Sequence, residues 1–329
     1  MRRGEDGIVT HWDEIEPRRR EQGHLGGAWQ SLTGALSQTV GVQRIVVDPG
    51  KWATPLHLEG SEEEIFYVLA GSGVSVQRDG PDGSDRAFAV GSGDCLVHLA
   101  SRHAHTLQAG ADGLSVLAFG ERHPLGNTLL PRAGVSWLGT TWVRAGTADE
   151  HPWTREAETG PPEVGALDER PGRIVNAEAV EPTVRRGATV SRASRDLGRA
   201  AGSIRTGLRL FDVDPGKFMS APHSHSAEEE LFVILAGDGM VELTPGPRAR
   251  ELGAEAESHP VRAGSTVVRR AATGVAHALR AGEEGLRVLA YGTRRPEDVA
   301  YYPRSNKLFF RGVGVIGRIE HLDYWDGED

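Results

Sequence analysis

The feature that most constrains the fold of this chain is an internal duplication. The phrase "TPLHLEGSEEEIF" at residues 54–66 returns as "APHSHSAEEELF" at 221–232, and "DPGK" occurs at both 48–51 and 214–217, an offset of 166 residues. Further on, "LSVLAFGERHP" at 114–124 matches "LRVLAYGTRRP" at 286–296. Registered similarity over so many segments indicates two copies of one structural unit that together span almost the whole chain.

Each copy has the sequence pattern of β structure. Runs such as "QRIVVDPG" and "EIFYVLAGSGVSV" are rich in β-branched and aromatic residues and are punctuated by Gly, Pro and Asp. Helix is predicted only for short pieces such as residues 294–300. The stretch between the copies is polar and rich in Pro and Glu, which is typical of a linker. We therefore predict an all-β protein with a first domain at 1–144, a linker at 145–172 and a second domain at 173–329.

Composition limits the surroundings in which the protein works. The net charge of −9 argues against a nucleic-acid partner or an anionic membrane surface. No apolar run approaches the roughly 18 residues that a membrane span requires, and the N-terminus lacks the apolar stretch of a secretory signal. Cys95 is the single cysteine, so an intrachain disulfide is impossible. We expect a cytoplasmic protein.

The second copy carries a constellation of potential metal ligands. Residues two apart in a strand point to one face, so His223 and His225 project together, about 7 Å apart. Glu228 and Glu230 share a face, and either carboxylate can complete a third position; His277, after a Gly-rich turn, offers a fourth ligand. Imidazole and carboxylate ligands suit Mn, Fe, Co, Ni, Cu or Zn.

These residues resemble the motifs of the cupin family, and the chain resembles a bicupin. The second copy has the spaced motif of Gly216, His223, His225, Glu230 and Gly237, followed by Gly264 and His277. The first copy matches it at Gly50, His57, Glu64, Gly71 and His105, with Glu59 at the position of the second histidine. The resemblance implies two tandem double-stranded β-helix (jelly-roll) barrels with short flanking helices, packed through a sheet face. We further expect the C-terminal segment 301–329 to cross the interface.

The resemblance also implies the two ligand sets. In the second barrel these are His223, His225, Glu230 and His277; in the first they are His57, Glu59, Glu64 and His105. The first set leaves several alternatives open. Glu59 binds a metal with the others, or the site stays protonated and empty. Otherwise Glu59 points to solvent, and the first barrel is structural or carries a different pocket. The cofactor expected is a divalent transition metal (Fe, Mn, Ni or Zn).

Other charged residues near the motifs allow a functional or a structural interpretation. Arg269 and Arg270 replace the usual motif residues, and they either grip a carboxylate substrate or form surface ion pairs. Four glutamates are expected to form a solvated acidic rim, unless one of them supports a histidine ligand. They are Glu62, Glu63, Glu228 and Glu229.

The function implied first is a metal-dependent oxidoreductase of the dioxygenase type acting on a small organic substrate, with Glu230 as ligand and as transient base. The second hypothesis is a non-redox cupin enzyme: an isomerase, epimerase, lyase or decarboxylase. Bicupin oxalate decarboxylases have complete ligand sets in both units, and Glu59 departs from that pattern. The third is a non-catalytic protein that binds a small ligand. We expect no nucleic-acid or membrane partner, and a monomer or a homodimer.

Overall fold

The structure, a computed structural model, describes residues 8–81, 83–138, 141–143 and 152–328. Strands dominate these residues, so the all-β prediction is confirmed. None of the helices within the described ranges is long and apolar enough to cross a membrane. Of the predicted linker, residues 145–151 lie outside the described part of the chain.

The two halves contain corresponding sets of secondary-structure elements. The first half contains β1 (Val9–His11), β2 (Arg18–Gln22), β3 (Leu25–Ser31), β4 (Val40–Val47), β5 (Leu58–Glu59), β6 (Glu64–Asp79), β7 (Arg86–Gly91), β8 (Asp94–His98), β9 (His103–Glu121), β10 (Asn127–Leu130), β11 (Val135–Leu138), β12 (Thr141–Val143) and helix α1 (Pro152–Glu158). The second half contains β13 (Ile174–Asn176), β14 (Thr183–Arg185), β15 (Arg192–Asp196), helix α2 (Leu197–Ala200), β16 (Thr206–Val213), β17 (Ser224–His225), β18 (Glu230–Pro245), helix α3 (Pro247–Glu251), β19 (Glu257–Arg262), β20 (Ser265–Arg269), β21 (Val275–Thr293), β22 (Val299–Tyr302), β23 (Lys307–Phe310) and β24 (Val315–Arg318). Three 3₁₀ turns lie at Trp12–Glu14, Ala177–Ala179 and Arg311–Val313.

Each half combines a large and a small antiparallel sheet. The large sheets have the orders β13-β8-β6-β9-β4-β3-β2 and β1-β20-β18-β21-β16-β15-β14, with β7 on β6 and β19 on β18. The small sheets have the orders β12-β11-β10-β5 and β17-β22-β23-β24. This is the paired-sheet arrangement of a jelly-roll barrel, built twice.

Bulges let the longest strands bend around each barrel. The pairing of β6 with β9 shifts register between Gly71 and Gly73, and the pairing of β18 with β21 does so between Gly237 and Gly239. Gly237 has φ +79°, and a Cβ there would lie 2.0 Å from the carbonyl oxygen of Gly285. The motif glycine is therefore required by the close approach of two backbones.

Alternation along β6 decides which side chains enter the barrel. Phe66 and Val68 belong to the core cluster inside the first half, whereas Ile65 and Tyr67 belong to a cluster shared by both halves. Glu64 has the same parity as Phe66 and so faces inward. The same alternation holds along β18, where Phe232 and Ile234 lie inside and Leu231 and Val233 lie in the shared cluster. The two barrels thus pack through the outer faces of their large sheets.

Two short strands are exchanged between the halves. Strand β1 pairs with β20, placing Val9 opposite Val267, and β13 pairs with β8, placing Ile174 opposite Leu96. Within the segment 301–329, which we expected to cross the interface, β23 and β24 pair in series with β22, and β22 pairs with β17 of the same half. The domain boundaries themselves stay predictions.

Candidate metal centres

Four predicted ligands of the second barrel converge. The Oε2 atom of Glu230 lies 2.9 Å from Nε2 of His277, 3.2 Å from Nε2 of His225 and 3.6 Å from Nε2 of His223. Glu230 opens β18, His225 ends β17 and His277 lies in β21, while a backbone bridge joins His223 to His277. The strands and the backbone bridge therefore orient all four side chains before any ligand binds.

The polar atoms at this point fit a divalent metal. Nε2 of His225, Nε2 of His277 and Oε2 of Glu230 are buried without a well-directed hydrogen bond. Buried polar atoms normally have partners, and three imidazole nitrogens around one carboxylate oxygen form a common transition-metal ligand set. The residues present thus fit the metal that the motif implies.

The remaining ring nitrogens are held by hydrogen bonds. Nδ1 of His225 lies 2.7 Å from the Asp298 carboxylate, and Nδ1 of His223 lies 2.8 Å from the carbonyl oxygen of Ala221. Such outer contacts fix the tautomer that leaves Nε2 for a metal. Burial alone would lower the pKa of His225, but the Glu230 carboxylate and the hydrogen bond to Asp298 raise it to about 10. The two carboxylates beside His225 therefore stabilise positive charge at this end of the cluster.

The predicted ligands of the first barrel converge in the same way. Oε2 of Glu64 lies 3.1 Å from Nε2 of His105 and 3.5 Å from Nε2 of His57. Oε2 of Glu64 and Nε2 of His105 are again buried without a well-directed hydrogen bond. Glu59 lies beside them, with Oε1 3.9 Å from Nε2 of His57 and a side chain that is only 15% exposed. The alternative in which Glu59 points to solvent is therefore wrong.

The residues around Glu59 differ from those around His225, which occupies the corresponding position in the second barrel. Both carboxylate oxygens of Glu59 accept from the Thr128 hydroxyl, at 2.9 and 3.0 Å. At the corresponding place in the second barrel, His225 lies opposite Ala300 and donates to Asp298. Burial and the neighbouring Glu64 carboxylate raise the pKa of Glu59 to about 8. Each barrel thus supplies the hydrogen bond that its own residue needs, a donor for Glu59 and an acceptor for His225.

One buried histidine next to the first cluster was not singled out by spacing. His98 lies opposite Glu64 in the sheet and stacks on His105, with ring centroids 3.7 Å apart. Burial and the nearby His105 lower the pKa of His98 well below its ordinary value, so its ring is neutral. His98 could be recognised only from the pairing of β8 with β6, because the sequence of β8 alone does not show that His98 lies opposite Glu64. Arg269 has this place opposite Glu230 in the second barrel.

Three of the four glutamates predicted to form a solvated acidic rim are buried. Glu63 and Glu229 are 1% and 2% exposed and bind backbone and side-chain donors of the opposite half. Glu228 is also buried and accepts from the backbone N–H of Arg295, and Glu62 accepts in the same way from His123. The alternation that turns Glu64 inward turns Glu63 toward the other barrel.

The cavities beside the two clusters differ in size. His223, His225 and Glu230 line a cavity of about 550 Å³, whereas the cavity at His57 has about 110 Å³ and is bounded by Trp153 of α1. Arg270 was considered as a substrate contact, but its guanidinium donates to the backbone carbonyl oxygens of Ala35 and Leu36 and so is already engaged. Space for a substrate is therefore found beside the second cluster.

Two barrels of this construction, each with histidines and a glutamate inside, define the bicupin fold that the motifs implied. Solved structures have the same fold. Oxalate decarboxylase from Bacillus subtilis at pH 4.6 matches with 16% identity and a TM-score of 0.60, over 88% of this chain and 76% of that chain. Two further structures match with TM-scores of 0.60 over 90% of this chain and 80% of theirs. One comes from a study of the Mn(II) centres of the Bacillus subtilis oxalate decarboxylase, at 15% identity. The other comes from a study of the substrate binding mode and a reaction specificity switch in oxalate decarboxylase, at 17% identity. No protein-family model matches the chain, and no curated protein does.

Proposed function

We propose that this protein is a metal-dependent enzyme that acts on a small carboxylic acid in its second barrel, with decarboxylation as the reaction. The observation that carries the proposal is the convergence of three histidine Nε2 atoms on one Glu230 oxygen at the wall of the 550 Å³ cavity. The ligands proposed for the metal are His223, His225, Glu230 and His277. The set of His57, Glu59, Glu64 and His105 is proposed as a second metal site.

The charge of the cavity supports a carboxylate substrate. Although the chain has a net charge of −9, six Arg and Lys side chains line this cavity, against the two carboxylates of Glu228 and Glu230. Positive potential in a concave site raises the local concentration of anions. A bound divalent metal would supply a Lewis acid for a carboxylate oxygen.

The chain's own residues have a limited task in such a reaction. Decarboxylation breaks one carbon–carbon bond, releases CO2 and puts a proton on the remaining carbon. The cationic lining holds and orients the carboxylate, and Phe211 and Phe232 present an apolar wall to the rest of the substrate. The base role predicted for Glu230 belongs to the dioxygenase hypothesis and is not needed here.

The order of the two enzyme hypotheses is thus reversed. Decarboxylation ranked second because Glu59 departs from the ligand pattern of known bicupin decarboxylases. The hydrogen bond from the Thr128 hydroxyl to Glu59 supports a role for Glu59 in the first-barrel cluster, and the solved structures reported above are oxalate decarboxylases.

Elemental analysis of the purified protein followed by incubation with a panel of carboxylic acids tests the proposal. We expect bound transition metal and CO2 release without stoichiometric oxygen consumption. His225→Ala should lose the second-barrel metal and the activity, whereas His259→Ala, on β19 away from both clusters, should keep both. A dioxygenase would consume one O2 per substrate. Two metals per chain would favour occupancy of both barrels, and protein without metal under every growth condition would refute the proposal.

A further inference from the structure

The cavity of the second barrel contains more positive charge than one bound carboxylate neutralises. Its cationic lining is Arg185, Arg192, Arg209, Arg294, Lys307 and Arg311. Three of them already have carboxylate partners: Arg209 and Arg294 share Asp196, and Arg311 lies 2.5 Å from Glu228. The other three form no ion pair with any residue that the structure describes. These three, Arg185, Arg192 and Lys307, are called the free cations below.

Arg192 is fixed in place although it lacks a counter-charge. Its guanidinium lies 4.7 Å from the centroid of the Phe211 ring and donates to the carbonyl oxygen of Met219. Burial and the positive charges of Arg209 and Arg185 lower its pKa, but an arginine side chain stays protonated in proteins. A partly buried, permanent cation without an anion is costly. Arg192 is therefore preorganised for an anion that enters the cavity.

Lys307 lies near the metal cluster, with the ring of Tyr302 between them. Its Nζ lies 5.4 Å from the centroid of the Tyr302 ring, and that ring stacks on His223 with centroids 5.6 Å apart. Met219, which accepts from Arg192, lies four residues before His223. Lys307 is therefore separated from a proposed metal ligand by one side chain, that of Tyr302, and Arg192 holds the backbone four residues before the same ligand.

The first barrel lacks two of these three charges at the matching positions; the third, Arg185, is matched by Arg20, since Arg20 pairs with Gly27 as Arg185 pairs with Arg192. Gly27 pairs with Val47 as Arg192 pairs with Val213, and Val135 pairs with Leu130 as Lys307 pairs with Tyr302. A Cβ at Gly27 would lie 2.6 Å from the carbonyl oxygen of Val46, so a side chain does not fit there. Arg192 and Lys307 are thus not a requirement of the barrel, because its repeat does without them.

From this placement we infer that the substrate of the second barrel is a dicarboxylic acid longer than oxalate. One carboxylate lies at the His223–Glu230 cluster, and the second is bound by Arg192 with Arg185 and Lys307. The carbon chain between them lies along Phe211, Phe232 and Phe309, which line the same cavity. A cavity of about 550 Å³ is within the range that holds ligands far larger than a two-carbon acid. The inference rests on the proposed function, since it assigns the substrate class of the same site.

Binding of matched acids to the metal-loaded protein tests the inference. Succinate, glutarate and adipate are compared with butyrate, valerate and hexanoate by isothermal titration calorimetry. We expect at least one dicarboxylate to bind about tenfold or more tightly than the monocarboxylate of equal length, since hydrogen bonds to charged groups have that magnitude. Arg192→Gln and Lys307→Gln should each weaken the dicarboxylate by about tenfold or more and leave the monocarboxylate within about twofold.

Arg250→Gln, on the exposed side of α3, is the matched control and should change neither affinity. Metal content and circular dichroism of each variant show whether the fold and the cluster are intact. Equal affinities for the two series, or full dicarboxylate affinity in both charge variants, would overturn the inference. If oxalate or a monocarboxylic acid is decarboxylated and dicarboxylates do not compete, the proposed function stands and the inference is wrong. If dicarboxylates bind through Arg192 but no acid releases CO2, the proposed function is wrong and the assigned anion site stands.

Discussion

Replacing Glu229 with glutamine should loosen the contact between the two barrels. The Glu229 carboxylate is 2% exposed and accepts from the backbone N–H of Thr39 at 2.7 Å, from the Thr39 hydroxyl at 2.7 Å and from the backbone N–H of Gln38 at 3.1 Å. Glu63 is its counterpart and accepts from the backbone N–H of Ile204 at 2.9 Å and of Thr206 at 3.1 Å. Each barrel thus offers one carboxylate to a loop of the other.

The size of the effect follows from the number of donors. Glutamine has the same shape, but one of its terminal atoms is an NH2 group. Because the backbone N–H groups of Gln38 and Thr39 point at the two oxygens of Glu229, the NH2 group must face at least one backbone donor. A hydrogen bond to a charged group contributes about 1.5–3 kcal/mol, and a buried donor without a partner costs about 1–3 kcal/mol. We expect Glu229→Gln to lower the free energy of unfolding by about 2–4 kcal/mol.

Differential scanning calorimetry measures this change directly. One kcal/mol shifts Tm by about 2–4 °C in chains of 150–250 residues, so a fall of several degrees is expected here. Glu284→Gln, at an exposed position, is the matched control, and Glu63→Gln should act like Glu229→Gln. If Glu229→Gln melts at the same temperature as Glu284→Gln, the two carboxylates do not hold the barrels together and the reasoning is refuted.

Two further substitutions and one labelling experiment have defined outcomes. Asp298→Asn should weaken second-barrel metal affinity by about 10- to 100-fold, because Asp298 orients His225; competition with a chelator measures this, and unchanged affinity would contradict it. Gly237→Ala should cost about 1–3 kcal/mol more than Gly253→Ala in chemical unfolding, since both glycines have positive φ but only Gly237 faces a backbone oxygen. Burial raises the pKa of Cys95, so the native thiol should resist alkylation at pH 8 and react only on unfolding; rapid native labelling would show that the site is open.

The sequence predicted the parts of this structure that repeat. Duplication and period-two alternation predict the two barrels and the inward direction of Glu230, because both depend on local pattern. The role of Glu229 was missed, although alternation places it with Leu231 on the outer face, because three adjacent glutamates look like a solvated rim. The cationic lining was missed for another reason: Arg192 and Lys307 are far apart in the chain and have no counterparts in the first copy.

The exchanged strands β1 and β13 have a consequence for how the chain reaches its native state. Residues 9–11 find their partners on β20 only after nearly the whole polypeptide has been made, and β8 of the first barrel keeps an unpaired edge until β13 is available. Contacts that are so distant in sequence slow folding. Each barrel completes the other, as in a homodimer that swaps an N-terminal arm, with the two copies here fused into one polypeptide.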